Sequence, residues 1–128
     1  EFKSNDQNIK FLFTNLFNPM DIHSFLNINS IKKFDLFLAD RSFFALDDKY
    51  LMKIISSINK ITNYVYIDDF NLINDFKLRQ TISGYRHTNF QKLMIENNFA
   101  LAKNIESPYI QVSGANTKSL LFKNMYNL

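Results

Sequence analysis

Residues 34–40 read Phe-Asp-Leu-Phe-Leu-Ala-Asp, a run with one interior polar break, Asp35. It is of strand length and lacks the apolar–polar alternation of a strand with one wet face. A strand covered on both sides, as in a parallel sheet, satisfies that pattern. If so, its carboxyl end, Asp40-Arg41, lies where open parallel sheets bind their ligands.

Reading outward, the next segments alternate in type. Asp47-Asp48 supply negative charge for a helix start. Leu51, Ile54, Ile55, Ile58 and Ile61 then share one helical face. Residues 64–67 (YVYI) form a second strand, ending in Asp68-Asp69. Upstream, residues 9–14 (IKFLFT) read as a buried strand and Asn18-Pro19 as a helix start. Ile22, Phe25, Leu26 and Asn29 follow at helical spacing.

Downstream, the spacing predicts a helix over residues 72–80, with Leu72, Ile73 and Phe76 inward, broken by Ser83-Gly84. Thr88 and Gln91 match a capping box. Phe90, Leu93, Met94, Asn97 and Leu101 continue as a helix. Residues 109–112 (YIQV) follow Pro108 as a strand, and Ser113-Gly114 makes a turn. Residues 117–127 are expected to be a final helix carrying Leu120, Leu121 and Met125.

Strands alternating with helices imply right-handed crossovers. The expected fold is therefore α/β: a three-layer sandwich, Rossmann-like or flavodoxin-like, with a mostly parallel sheet of about four strands. One domain spans residues 1–128. A chain beginning at Glu1 rather than Met is expected to be a fragment or a trimmed form.

Composition sets outer bounds. Of 128 residues, 46% are hydrophobic, enough for a core without staples. Cysteine is absent, which favours a reducing compartment and a cytoplasmic location. The net charge is +3 and the basic residues are dispersed, so a phosphate-tracking nucleic-acid surface is not expected. No apolar run reaches the roughly 20 residues of a membrane helix.

The carboxyl-end rule gathers Asp40, Arg41, Asp68, Asp69, Ser113 and Gly114 along one edge as a candidate binding site. Carboxylates in such a cluster repel, and Mg²⁺ would relieve that repulsion through oxygen ligands, with Asp40 and Asp68 as metal candidates. The competing reading is structural: the acids cap loops, and Arg41 or lysines neutralise them. His23 and His87 are the only histidines, and both are expected at the surface or as caps. The segments SGYRHTN and VSGANTK could each hold an anion at a helix start, through Arg86 and Lys118. No Gly-rich phosphate loop, zinc signature or nucleophile elbow is present.

The segment NPMDIHSFLNINSIKKFDLFLADRSFF resembles the second helix, third strand and third helix of a CheY-like response-regulator receiver. PYIQVSGANTKSLLFKNMYNL is similar to that family's last strand and helix. The resemblance would place Asp40 near the phospho-accepting position. The family's acidic pair, hydroxyl residue and lysine are replaced here by Thr14-Asn15, Asp68-Asp69 and Val112-Ser113. The resemblance thus implies a degenerate, non-catalytic receiver that regulates through a protein partner or self-association. Two other readings stand beside it. One is a Rossmann-like half of a nucleotide-sugar enzyme or glycosyltransferase. The other is a structural component of a larger assembly, where ALAKNI and VSGANTKSLL resemble a late strand and helix of a large-subunit ribosomal protein.

Overall fold

The computed structural model describes residues 19–73, 76–105 and 117–126. The chain forms two compact units, Glu1–Lys32 and Lys33–Leu128. The predicted strands over residues 9–14 and 109–112 lie outside the described residues, as do Asn18, Ser113 and Gly114.

In the first unit, α1 spans Pro19–Ile28 and buries Ile22 and Leu26. Its end follows from Ser30, whose φ of 55° stops the helical turn. Ile31 N–H reaches back to the Leu26 carbonyl and Ser30 N–H to that of Asn27, which together make a Schellman ending. His23 is exposed, as expected.

The second unit holds β1 (Phe34–Asp40), α2 (Asp48–Ile58), β2 (Thr62–Phe70), β3 (Arg79–Ile82), β4 (Tyr85–Thr88), α3 (Phe90–Glu96), β5 (Phe99–Ile105) and β6 (Thr117–Asn124). A single 3₁₀ turn, Phe43–Ala45, joins β1 to α2. The main sheet runs in the order β1-β2-β6-β5, and β3-β4 form a separate hairpin.

The α/β class is as read from the sequence; the mostly parallel sheet is not. Among the described strands of the main sheet only β1 and β2 pair in parallel, while β6 is antiparallel to both of its neighbours. The final helix expected over residues 117–127 is the strand β6. Burial along β6 does not alternate cleanly, with Ser119 and Leu120 both buried, so TKSLLF carries no strand period to separate it from a helix. The two reversals across β6 leave β5 running in the direction of β1 and β2. The carboxyl ends of β1, β2 and β5 therefore share one rim with the amino end of β6.

The region after β2 departs further from expectation. No helix covers residues 76–80; β3 begins at Arg79. Ser83 and Gly84 do not break a helix but turn a hairpin, with φ of 51° and 82°. Positive φ at both central residues is the two-residue turn whose twist matches antiparallel strands. The cap of α3 is Asn89, whose side chain accepts from Lys92 N–H, in place of the Thr88–Gln91 box. The helix stops at Glu96 because Asn98 takes a φ of 65°, and Leu101 belongs to β5.

One core fills this unit. Leu51, Ile54, Ile55 and Ile58 of α2 are buried, as are Phe90, Leu93 and Met94 of α3. They join Ala39, Val65, Ile67, Leu120 and Phe122 of the sheet. The opposite sheet face differs. Leu36 and Leu38 on β1 and Tyr64 on β2 are 50%, 65% and 37% exposed. The register pairs Leu36 with Tyr64 and Leu38 with Tyr66, so these side chains form one apolar strip. Among the described residues of this unit the layers number two, not the three expected.

Candidate functional site

The rim at the carboxyl ends of β1 and β2 is where sequence reasoning placed the acids. Asp40 and Asp68 are direct register partners across the parallel pair. Asp40 is exposed, whereas Asp68 and Asp69 are each 1% exposed. Burying a carboxylate is costly unless its oxygens find donors, and each of the buried pair is supplied.

Asp68 lies on the same sheet side as Asp40 and Ser119, by register. One oxygen accepts from Arg41 Nε at 2.8 Å, and the other accepts from Ser119 Oγ. Arg41 adopts a φ of 51°, a left-handed conformation that costs a non-glycine residue about 1–2 kcal/mol. That turn folds the residue back onto β2: its backbone N–H reaches the Asp68 carbonyl at 2.7 Å. Its guanidinium also sits 5.1 Å from the centre of the Phe70 ring.

Asp69 faces the other way, as alternation along β2 requires. Its Oδ2 accepts from the backbone N–H groups of Phe43 and Phe44, at 2.9 and 3.3 Å. Its Oδ1 accepts from Phe70 N–H at 2.7 Å. Burial pushes the Asp69 carboxyl above its ordinary value, against the opposing pull of those three amides and of Arg41. The residue fixes the 3₁₀ turn that leads into α2.

The two buried acids thus act as latches. Both Asp68 oxygens accept hydrogen bonds from within the fold. No cluster of three or more acidic or histidine side chains suited to a metal occurs among the described residues. Ser119 is a hydroxyl that meets Asp68, and the sequence hid it inside a segment read as helix; Ser113 and Gly114 lie outside the described residues.

His87, expected at the surface or as a cap, is fully buried in β4. Its Nδ1 lies 2.9 Å from the Tyr85 carbonyl, and its ring packs 5.3 Å from that of Phe70. Tyr85 stacks on Phe70 at 4.5 Å and meets Phe44 edge-on at 6.2 Å. This aromatic cluster seats the hairpin against β2 and the 3₁₀ turn. An isolated parallel bridge, Asn71 to Thr88, continues the attachment.

Beside it, Arg79 ties three elements together. It donates to Thr88 Oγ1 at 3.1 Å, to Asp48 Oδ1 at 2.9 Å and to the Phe43 carbonyl at 2.7 Å. Between the start of α2 and the hairpin an open cleft of about 450 Å³ remains, lined by Asp47–Lys49, Arg79–Thr81 and Arg86. Arg86 lies directly across the hairpin from Thr81, on the side that also carries Arg79. It stands on the strand β4, where the sequence reading had it beside an anion at a helix start.

No helix among the described residues is long and apolar enough to cross a membrane. No protein-family model matches the chain, and no curated protein matches it. Among solved structures, a Clostridium acetobutylicum S-adenosylmethionine-dependent methyltransferase aligns at 9% identity and a TM-score of 0.47, over 83% of this chain and 70% of that one. The pyocyanin biosynthetic protein PhzM aligns at 12% identity and a TM-score of 0.51, over 82% of this chain. The chain spans 38% of the length of PhzM, and the likeness is one of fold alone, a Rossmann-like α/β sheet.

Proposed function

We propose that this chain is one half of a Rossmann-like small-molecule enzyme, whose other half covers the bare sheet face. The carrying observation is the strip of Leu36, Leu38 and Tyr64, which stays exposed while Ala39, Val65, Ile67, Leu120 and Phe122 on the opposite face are buried. Covering one leucine is worth about 2 kcal/mol, so such a strip is a standing drive to associate. The rim supports the enzyme reading, because Rossmann-like sheets take their ligands at the carboxyl ends of their strands. A fold likeness to a biosynthetic protein points the same way.

Two measurements test the proposal. A cysteine introduced by Leu38→Cys is expected to react with maleimide freely in the purified chain and slowly when the same variant is produced in its natural host and labelled in the lysate. Equal rates would mean that nothing covers the face. Thermal-shift screening of the natural-source protein should find a stabilising ligand among nucleotide sugars and nucleotides. A flat response to all of them would remove the enzyme reading.

A receiver-like interaction domain is the second reading, favoured by the exposed Asp40 at the end of β1. It predicts capture of a protein partner with no aspartyl-phosphate formed at Asp40 by acetyl phosphate and Mg²⁺.

A further inference from the structure

The cleft between α2 and the hairpin has a charge pattern that the latches at the rim do not use. Five charged side chains line it: Asp47, Asp48, Lys49, Arg79 and Arg86. Arg79 and Asp48 form a salt bridge at 2.9 Å and largely cancel. Asp47 Oδ1 is occupied as the cap of α2, accepting from Tyr50 N–H at 2.9 Å. Among the described residues, the salt bridges are Arg79–Asp48 and Arg41–Asp68, so neither Lys49 nor Arg86 belongs to one.

We propose that this cleft binds the oxyanion group of a small molecule, a phosphate or a carboxylate, with Lys49 and Arg86 as its charge partners. Three features favour an anion over a cation. The lining carries three basic groups against two acids. One acid is neutralised by Arg79, and the other has an oxygen committed to a backbone amide. The two unspent cations come from different elements, α2 and β4, so a ligand between them meets charge from both walls. An arginine also offers a fork of donors matched to two oxygens of one group. Thr81, cross-strand from Arg86, adds a hydroxyl donor on the same side. The inference does not rest on the proposed second half, because every residue named lies within this unit.

The test is an NMR titration of the purified chain with inorganic phosphate and, separately, with acetate. Amide shifts are expected at Lys49, Thr81 and Arg86, saturating in the millimolar range. Saturation with both anions supports a general oxyanion site; saturation with one alone supports the site and names its ligand group. Lys49→Gln and Arg86→Gln should each weaken binding roughly fivefold, and Arg86→Glu more, as the loss or reversal of one exposed charge requires. Asp47→Asn keeps a good cap but removes a repelling charge, so it should tighten binding. Lys103→Glu, on β5 outside the cleft, serves as the control and should leave binding unchanged. Titration shifts that map elsewhere, glutamine variants that bind as well as the parent, or an Asp47→Asn variant that binds more weakly would each overturn the proposal. So would the absence of saturation by either anion.

Discussion

Replacing Arg79 with alanine should cost this chain about 3 kcal/mol, far more than its visible ion pair is worth. The side chain is 6% exposed, whereas its partner Asp48 is 77% exposed. An ion pair with one arm in water contributes about 0.5 kcal/mol or less. The remaining cost arises elsewhere. Arg79→Ala leaves the Phe43 carbonyl and Thr88 Oγ1 without this donor, at about 1 kcal/mol each for partly buried groups. It also removes a buried alkyl stem, worth about 1 kcal/mol. Urea unfolding followed by far-UV circular dichroism would show the loss as a midpoint lowered by about 2 M, for a slope near 1.5 kcal/mol per M. Asp48→Ala, which removes only the exposed arm, should cost less than about 1 kcal/mol. Arg79→Met, which keeps the stem, should fall between them. If Arg79→Ala and Asp48→Ala proved equal within about 0.5 kcal/mol, the guanidinium would be holding nothing but a surface charge. The account of how the hairpin is anchored would then be wrong.

Two further substitutions probe the latches. Asp69→Asn should destabilise the chain by about 1–3 kcal/mol, because an amide cannot accept from all three backbone N–H groups. Its pH signature has a definite sign: with the folded carboxyl raised above 3.8, the contribution from titration is fully present below that pH. It is lost as pH rises through the raised value, so the slope of stability against pH over that window should flatten in the variant. Ser119→Ala should cost about 1–3 kcal/mol by leaving one oxygen of the buried Asp68 without its donor, measurable by the same urea titration. A Ser119→Ala chain as stable as the parent would show that the hydroxyl contributes nothing.

Much of the first half of the second unit was legible. The spacing of Leu51, Ile54, Ile55 and Ile58 declared a helix, since that pattern reports burial directly. FDLFLAD declared a strand but not its surroundings, because β1 lies at the edge of the described sheet with only Ala39 buried and is not covered on both faces as expected. The side-by-side placement of Asp40 and Asp68 followed from one parallel crossover. The later half resisted for a physical reason. The stretch TKSLLFKN of β6 neither alternates cleanly nor runs apolar, so its pattern does not tell strand from helix and only pairing decides between them. Ser83-Gly84 was correctly marked as punctuation but assigned to the wrong element, although RQTI and YRHT on either side are strand-length. Asn98 ended α3 through its backbone conformation, a signal present in the Asn97-Asn98 pair and passed over. Ser119 and Arg79 could not have been found, because each acts through partners 51 and 31 residues away.

The position of β6 also governs how this unit can be assembled. It is the last of the described strands in sequence, yet it lies between β2 and β5. Until its residues are available, β5 has nothing to zip onto and the Asp68 latch cannot close. Collapse must therefore wait for pairings of long sequence separation, which slows folding and prolongs exposure of strand edges. On a ribosome, the unit would remain open until its final segment had emerged.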